Sequence, residues 1–75
     1  MTDRIADDLL VGARGITGEI GGDERRTYHL LERGLLPAFK LGGVWCARKS
    51  TLRAHVERLE RAAIERLERA AAEAA

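Results

Sequence analysis

The apolar positions along the chain change their period from segment to segment, and each change marks an element. Leu9, Leu10 and Val11 form a continuous apolar run of strand length. After Gly12, the residues Ala13, Ile16 and Ile20 recur at i, i+3 and i+7, one face of a helix over residues 13–20. Gly15 and Gly18 lie inside it. Each weakens it by roughly 1 kcal/mol relative to Ala, and each leaves room for close backbone approach. Gly21-Gly22 makes a turn, and Asp23 follows as an N-cap, because its carboxylate accepts free amide hydrogens of the next turn. Thr27, Leu30 and Leu31 then define the inner face of a second helix over residues 24–33, and Gly34 is placed to end it in the left-handed conformation.

Beyond Leu36-Pro37 the period becomes two. Phe39-Lys40-Leu41 alternates as a strand, Gly42-Gly43 signals a hairpin, and residues 44–47 return as a second strand anchored by Trp45. Ser50 is then read as the N-cap of a last helix reaching the end of the chain. Along it, Leu52, Val56, Leu59, Ala63, Leu67, Ala70 and Ala74 recur at spacings of four and three. Leu52, Ala63 and Ala74 are eleven apart, so the stripe follows a nearly straight helix and not a strict heptad. Glu57/Arg61, Arg61/Glu65 and Glu65/Arg69 are i, i+4 pairs that support an exposed helix. The first part is expected to pack on the domain. From about Arg61 the helix projects, or pairs with another copy through Leu59, Ala63, Leu67 and Ala70.

The fold class expected is mostly α with a small β-hairpin: two helices joined by a short turn, a hairpin, and an extended C-terminal helix. Residues 1–8 read as a polar leader, 9–60 as the domain and 61–75 as a helical extension. At 75 residues the chain makes one small domain with a thin core. Its single cysteine provides neither a disulfide framework nor a zinc cluster, and Cys46 in its apolar run reads as a small core or hairpin residue. No signal peptide or membrane span is read along the chain, so a cytoplasmic protein is expected.

Charge sharpens the picture. The net charge of +1 is unevenly spread. Residues 1–22 carry two bases against four acids, residues 23–49 six against three, and residues 50–75 five of each. The positive excess lies on the second helix and the hairpin, as a nucleic-acid face requires. An enzyme is not expected. There is no nucleophile–base pair, phosphate loop or metal-ligand cluster. The glycines over residues 12–22 do not match a dinucleotide fingerprint, because Gly15 and Gly18 lie inside a helix with no βαβ unit around it. Neither a cofactor nor a metal is implied.

With these residues in order, the segment 9–60 resembles the excisionase and MerR-like winged helix-turn-helix family. The resemblance rests on Leu9-Leu10, the first helix, Gly21, the Asp23 cap, Tyr28 within the second helix, Arg33-Gly34 with Leu36-Pro37-Ala38, Lys40 with Gly42-Gly43, Trp45, and the basic pair Arg48-Lys49. It implies a recognition helix in the major groove of double-stranded DNA, with its N-terminal half near base edges. Arg25 and Arg26 are the leading base-contact residues. A guanidinium makes two parallel hydrogen bonds to guanine O6 and N7, worth about 1–3 kcal/mol of discrimination; either arginine could instead hold a phosphate. Tyr28, His29, Lys40, Arg48, Lys49 and Thr17 are read as backbone or phosphate contacts. The chain departs from the family pattern at Gly12, Gly22, Val44 and Cys46. The last two replace polar or basic hairpin positions and shift the implied contact toward the second helix, Lys40 and Arg48-Lys49.

Three functions follow. The first is a small sequence-specific DNA-binding protein of a phage or mobile element, excisionase-like or a transcription regulator, acting as a homodimer or higher oligomer. The second is the DNA-recognition small subunit of a phage terminase, whose plan of a winged module ahead of a helical oligomerisation segment this chain fits. The third is a protein-docking module that does not bind DNA.

Overall fold

The computed structural model describes residues 4–74. The elements run α1 (Ile5–Asp8), β1 (Leu9–Val11), α2 (Gly12–Ile20), α3 (Glu24–Glu32), β2 (Phe39–Leu41), β3 (Val44–Arg48) and α4 (Lys49–Ala74). The protein is mostly helical, with one three-stranded antiparallel sheet in the order β1-β3-β2. Of the leader, residues 1–3 lie outside the described residues, and Ile5–Asp8 forms a single helical turn that leads into β1.

One feature of the sheet exceeds the sequence expectation. The apolar run at Leu9–Val11 is not an isolated strand: it pairs with β3, Leu10 opposite Ala47 and Val11 opposite Cys46. The hairpin partner β2 pairs on the other side, Phe39 opposite Cys46 and Lys40 opposite Trp45. The turn between β2 and β3 is two residues long, with Gly42 at φ +62° and Gly43 at φ +84°. Both central residues are left-handed, which is the geometry that matches strand twist in a tight hairpin and which a side chain resists.

Opposite residues share a face and successive residues alternate. One face of the sheet therefore carries Leu10, Trp45 and Ala47, and these pack on the helices. The core is Ala13 and Ile16 of α2, Leu31 of α3, Ala47 of β3 and Leu52 of α4, with Leu10, Ile20, Leu36, Ala38 and Trp45 around it. The other face carries Val11, Phe39, Leu41, Val44 and Cys46. Cys46 is buried in the middle strand between Val11 and Phe39. The rest are exposed, Val11 at 61% and Leu41 at 60%. The alternation read in β2 thus gives a strand but no buried side, because no element among the described residues covers that face.

A hydroxyl pair joins α2 to α3. Thr27 is fully buried, and its Oγ1 lies 2.6 Å from that of Thr17. Thr17 Oγ1 also lies 2.7 Å from the Ala13 carbonyl, and Thr27 Oγ1 lies 3.2 Å from that of Asp23. Two hydroxyl hydrogens serve three contacts, so each is engaged whichever way the pair is oriented. The glycines within α2 serve no tight packing. A Cβ on Gly18 would meet nothing within 4 Å, and one on Gly15 would make only ordinary contact with Leu10, at 3.9 Å.

The start of α4 corrects the reading of Ser50. The helix begins at Lys49, and Ser50 is not its cap. Ser50 donates its backbone N–H to Asp8 Oδ1 at 2.9 Å and its hydroxyl to Asp8 Oδ2. A carboxylate from the opposite end of the domain thus satisfies the free amide that a local cap would have taken. Among the described residues, no helix is long and apolar enough to cross a membrane.

Candidate nucleic-acid interface

α3 forms where it does because both ends are specified locally. The Asp23 carboxylate accepts the Arg26 backbone N–H at 2.8 Å, and Gly34 follows the helix at φ +69°. Thr27 and Leu31 point into the core. At about 100° per residue, the rest of the helix then divides into three sectors. Arg25, His29 and Arg33 lie on the side facing away from the core, one turn apart, and all are exposed. Tyr28 and Glu32 lean toward the hairpin and share a depression with Lys40, Gly43 and Trp45. Arg26 and Leu30 lean the other way and line a groove with Leu35, Leu36, His55, Val56 and Leu59.

The two arginines singled out from sequence are therefore separated. Arg25 stands on the open face, and Arg26 stands on the rim of the groove between α3 and α4. Arg33, not counted among the site residues from sequence, completes the outward row. Its signal was present in the i, i+4, i+8 spacing with Arg25 and His29. The hairpin supplies Lys40, whose Nζ sits 5.1 Å from the centroid of the Trp45 ring. That cation–π contact holds the ammonium beside the Tyr28 side of α3.

The remaining predicted positions lie elsewhere. Thr17 has its hydroxyl engaged between α2 and α3, which places it in the helix contact and not on the open face. Arg48 Nε donates to Asp8 Oδ2 at 3.0 Å, so its charge is partnered within the protein. Lys49 is half-buried as the first residue of α4. Asp8 receives the Ser50 hydroxyl, the Ser50 N–H and Arg48, in that order of effect, and these hold its carboxyl below its ordinary value of 3.8. Among the described residues, Arg25, Arg33, Lys40 and Lys49 make no salt bridge. Of these, Arg25, Arg33 and Lys40 are exposed and open to an anionic partner. Among the same residues, no group of three or more His, Cys, Asp or Glu is placed to hold a metal ion. No family model, curated protein or solved structure matches the chain.

Proposed function

We propose that this chain is a small DNA-binding protein with a winged helix-turn-helix architecture, in which α2 and α3 form the helix pair and β2–β3 the wing. The observation that carries the reading is the outward row Arg25, His29, Arg33 on a helix capped at both ends, with Lys40 held beside it on the hairpin. A helix is the element that enters the major groove. Arginines on its open face can both hold phosphates and read guanine. Arg25 is near the N-terminal end of α3, where base contact is expected, and Arg33 and Lys40 are placed for phosphates. The long α4 provides for self-association, which would let a module with few base contacts read a repeated or palindromic site.

The test is fluorescence anisotropy of the full chain on a random duplex and on DNA from its own locus, across a salt series. If Arg33, Lys40 and Lys49 each neutralise one phosphate while Arg25 reads a base, the log–log slope of affinity against salt is about −2.7. Arg25→Ala should remove the preference for local DNA. Arg33→Ala should weaken both duplexes alike and reduce the slope by about one. Absence of binding to either duplex at low salt, by folded protein, would overturn the reading.

A second reading has one observation in its favour. The outer sheet face exposes Val11, Phe39, Leu41 and Val44 together, an apolar surface that suits a protein partner better than a phosphate backbone. In that reading the fold docks a protein and not DNA. Salt-insensitive binding to a partner, lost on Leu41→Lys, would favour it.

A further inference from the structure

The groove between α3 and α4 is an apolar surface that DNA binding through α3 leaves unused. Its walls are Ile20 of α2, Leu30 of α3, Leu35 and Leu36 of the turn, and Val56 and Leu59 of α4. They border a space of about 520 Å³. His55 Nε2 lies 3.2 Å from the Leu35 carbonyl, which can only accept, so the ring donates there and ties α4 to the turn after α3. The walls stay open to solvent: Leu35 and Val56 are each 52% exposed, and Leu59 is 59%.

That exposure selects the size of the occupant. A small molecule is held in a site that covers most of its surface. Walls as open as these would leave one largely in water. A helix laid along the groove covers Leu35, Val56 and Leu59 together, and its own apolar row at i, i+3, i+4 and i+7 supplies the matching ridge.

Charge selects the kind of helix. Arg26 stands on the rim with its side chain across Gly22, where a Cβ would lie 3.4 Å from Nη1 and 3.5 Å from Cδ. Among the described residues, Arg26 makes no salt bridge, and no acidic side chain lines the groove. At about 100° per residue, α4 is polarised as far as Arg66. His55, Arg58 and Arg66 lie on the flank toward the groove, and Glu57 and Glu60 lie on the opposite flank with Arg53. Glu19 and Glu57 line a separate depression on that far side. The groove therefore presents apolar walls with a basic rim, and its nearest acids point elsewhere. A duplex would match the rim and not the walls. An acidic helix with one apolar face matches both.

We propose that this groove docks an amphipathic helix of a partner protein, its apolar row on Leu30, Leu35, Leu36, Val56 and Leu59 and its acidic side chains against Arg26 and the His55–Arg58 flank of α4. The site is independent of DNA binding, because α3 turns Arg25, His29 and Arg33 to another side. The probe is a designed, dye-labelled peptide of about 15 residues, long enough to form a helix, with leucine on one face and glutamate on both flanks. Its control carries lysine for every glutamate. Fluorescence anisotropy with the full chain should show saturable binding of the glutamate peptide and none of the lysine peptide at the same concentrations. Amide shifts should change at Leu30, Leu35, Leu36, Val56 and Leu59. Leu35→Ser, a change at an exposed position, should weaken the glutamate peptide about 10-fold with circular dichroism unaltered. Arg26→Glu combined with Arg58→Glu should make the lysine peptide the better ligand. Leu35→Ser should bind a DNA duplex as the wild type does, which keeps failure here separate from failure of the DNA reading. No binding of either peptide, equal binding of both, or shifts centred on Val11, Phe39 and Leu41 would overturn the proposal. Displacement of the peptide by duplex DNA would overturn it by making the rim part of the nucleic-acid face. Loss of self-association in Leu35→Ser, measured by sedimentation, would overturn it by placing a second copy in the groove.

Discussion

Asp8 holds the start of α4 from 42 positions away along the chain. Its carboxyl titrates below 3.8 in the folded protein because the ionised form is the one that Ser50 and Arg48 bind. A group whose folded value is depressed stabilises the protein fully above its unfolded value and loses that effect as the pH falls through the folded one. Asp8→Asn should therefore lower the melting temperature at pH 7, and the gap to the wild type should close as the pH drops below 3.8. Thermal melts of both proteins across an acid series check this, and a gap independent of pH would rule out the charge as the cause. Two other side-chain positions give opposite signs. Gly18 sits in a helix with open space where a Cβ would be, so Gly18→Ala should stabilise by about 0.5–1 kcal/mol in urea unfolding. Thr27 is buried and hydrogen-bonded to Thr17, so Thr27→Val keeps the shape and loses the hydroxyl, at about 0.5–1.5 kcal/mol.

At the scale of elements, each local signal acts on the residues beside it. Asp23 caps α3 directly, and Asp23→Ala should cost about 1 kcal/mol, measurable as a lower urea midpoint at unchanged slope. Because that cap also orients the row Arg25, His29, Arg33, the same variant tests whether DNA affinity follows the order of the helix. The elements were legible in the sequence for this reason: Asp23, Gly34 and Gly42-Gly43 are instructions read within four residues. What was not legible is what joins elements distant in the chain. Ser50 looked like a cap because serine before a helical pattern usually is one. The competing acceptor, Asp8, belongs to a segment that only the β1–β3 pairing brings near. Arg25 and Arg26 are adjacent in sequence and looked equivalent. The helix turns them about 100° apart, but which of them faces the groove depends on where α4 lies. Arg48 reads from sequence as a phosphate contact for the same reason, its partner being 40 positions away.

At the scale of the molecule, the shape is a small domain with a rod attached. The extents are 52 × 33 × 18 Å, and the 26-residue α4, about 39 Å long, accounts for most of the longest one. Among the described residues the buried ones end at Leu52, and Leu59 is the last that borders the groove. Residues 61–74 therefore add helix but no burial to the single chain. In an isolated chain their removal should change the stability by no more than about 0.5 kcal/mol, the usual range for exposed positions. Self-association alters that comparison. A dimer is favoured by mass action and stabilises only the folded form, so its contribution grows with protein concentration. The full chain should melt at a higher temperature as its concentration is raised. A chain ending at residue 60 should show a melting temperature independent of concentration and equal to that of the dilute full chain. Coincident melts at every concentration would leave α4 as a rod with no self-pairing role. A truncated chain that fails to melt cooperatively would place part of the domain's stability beyond Leu59, where the single chain shows no buried contact.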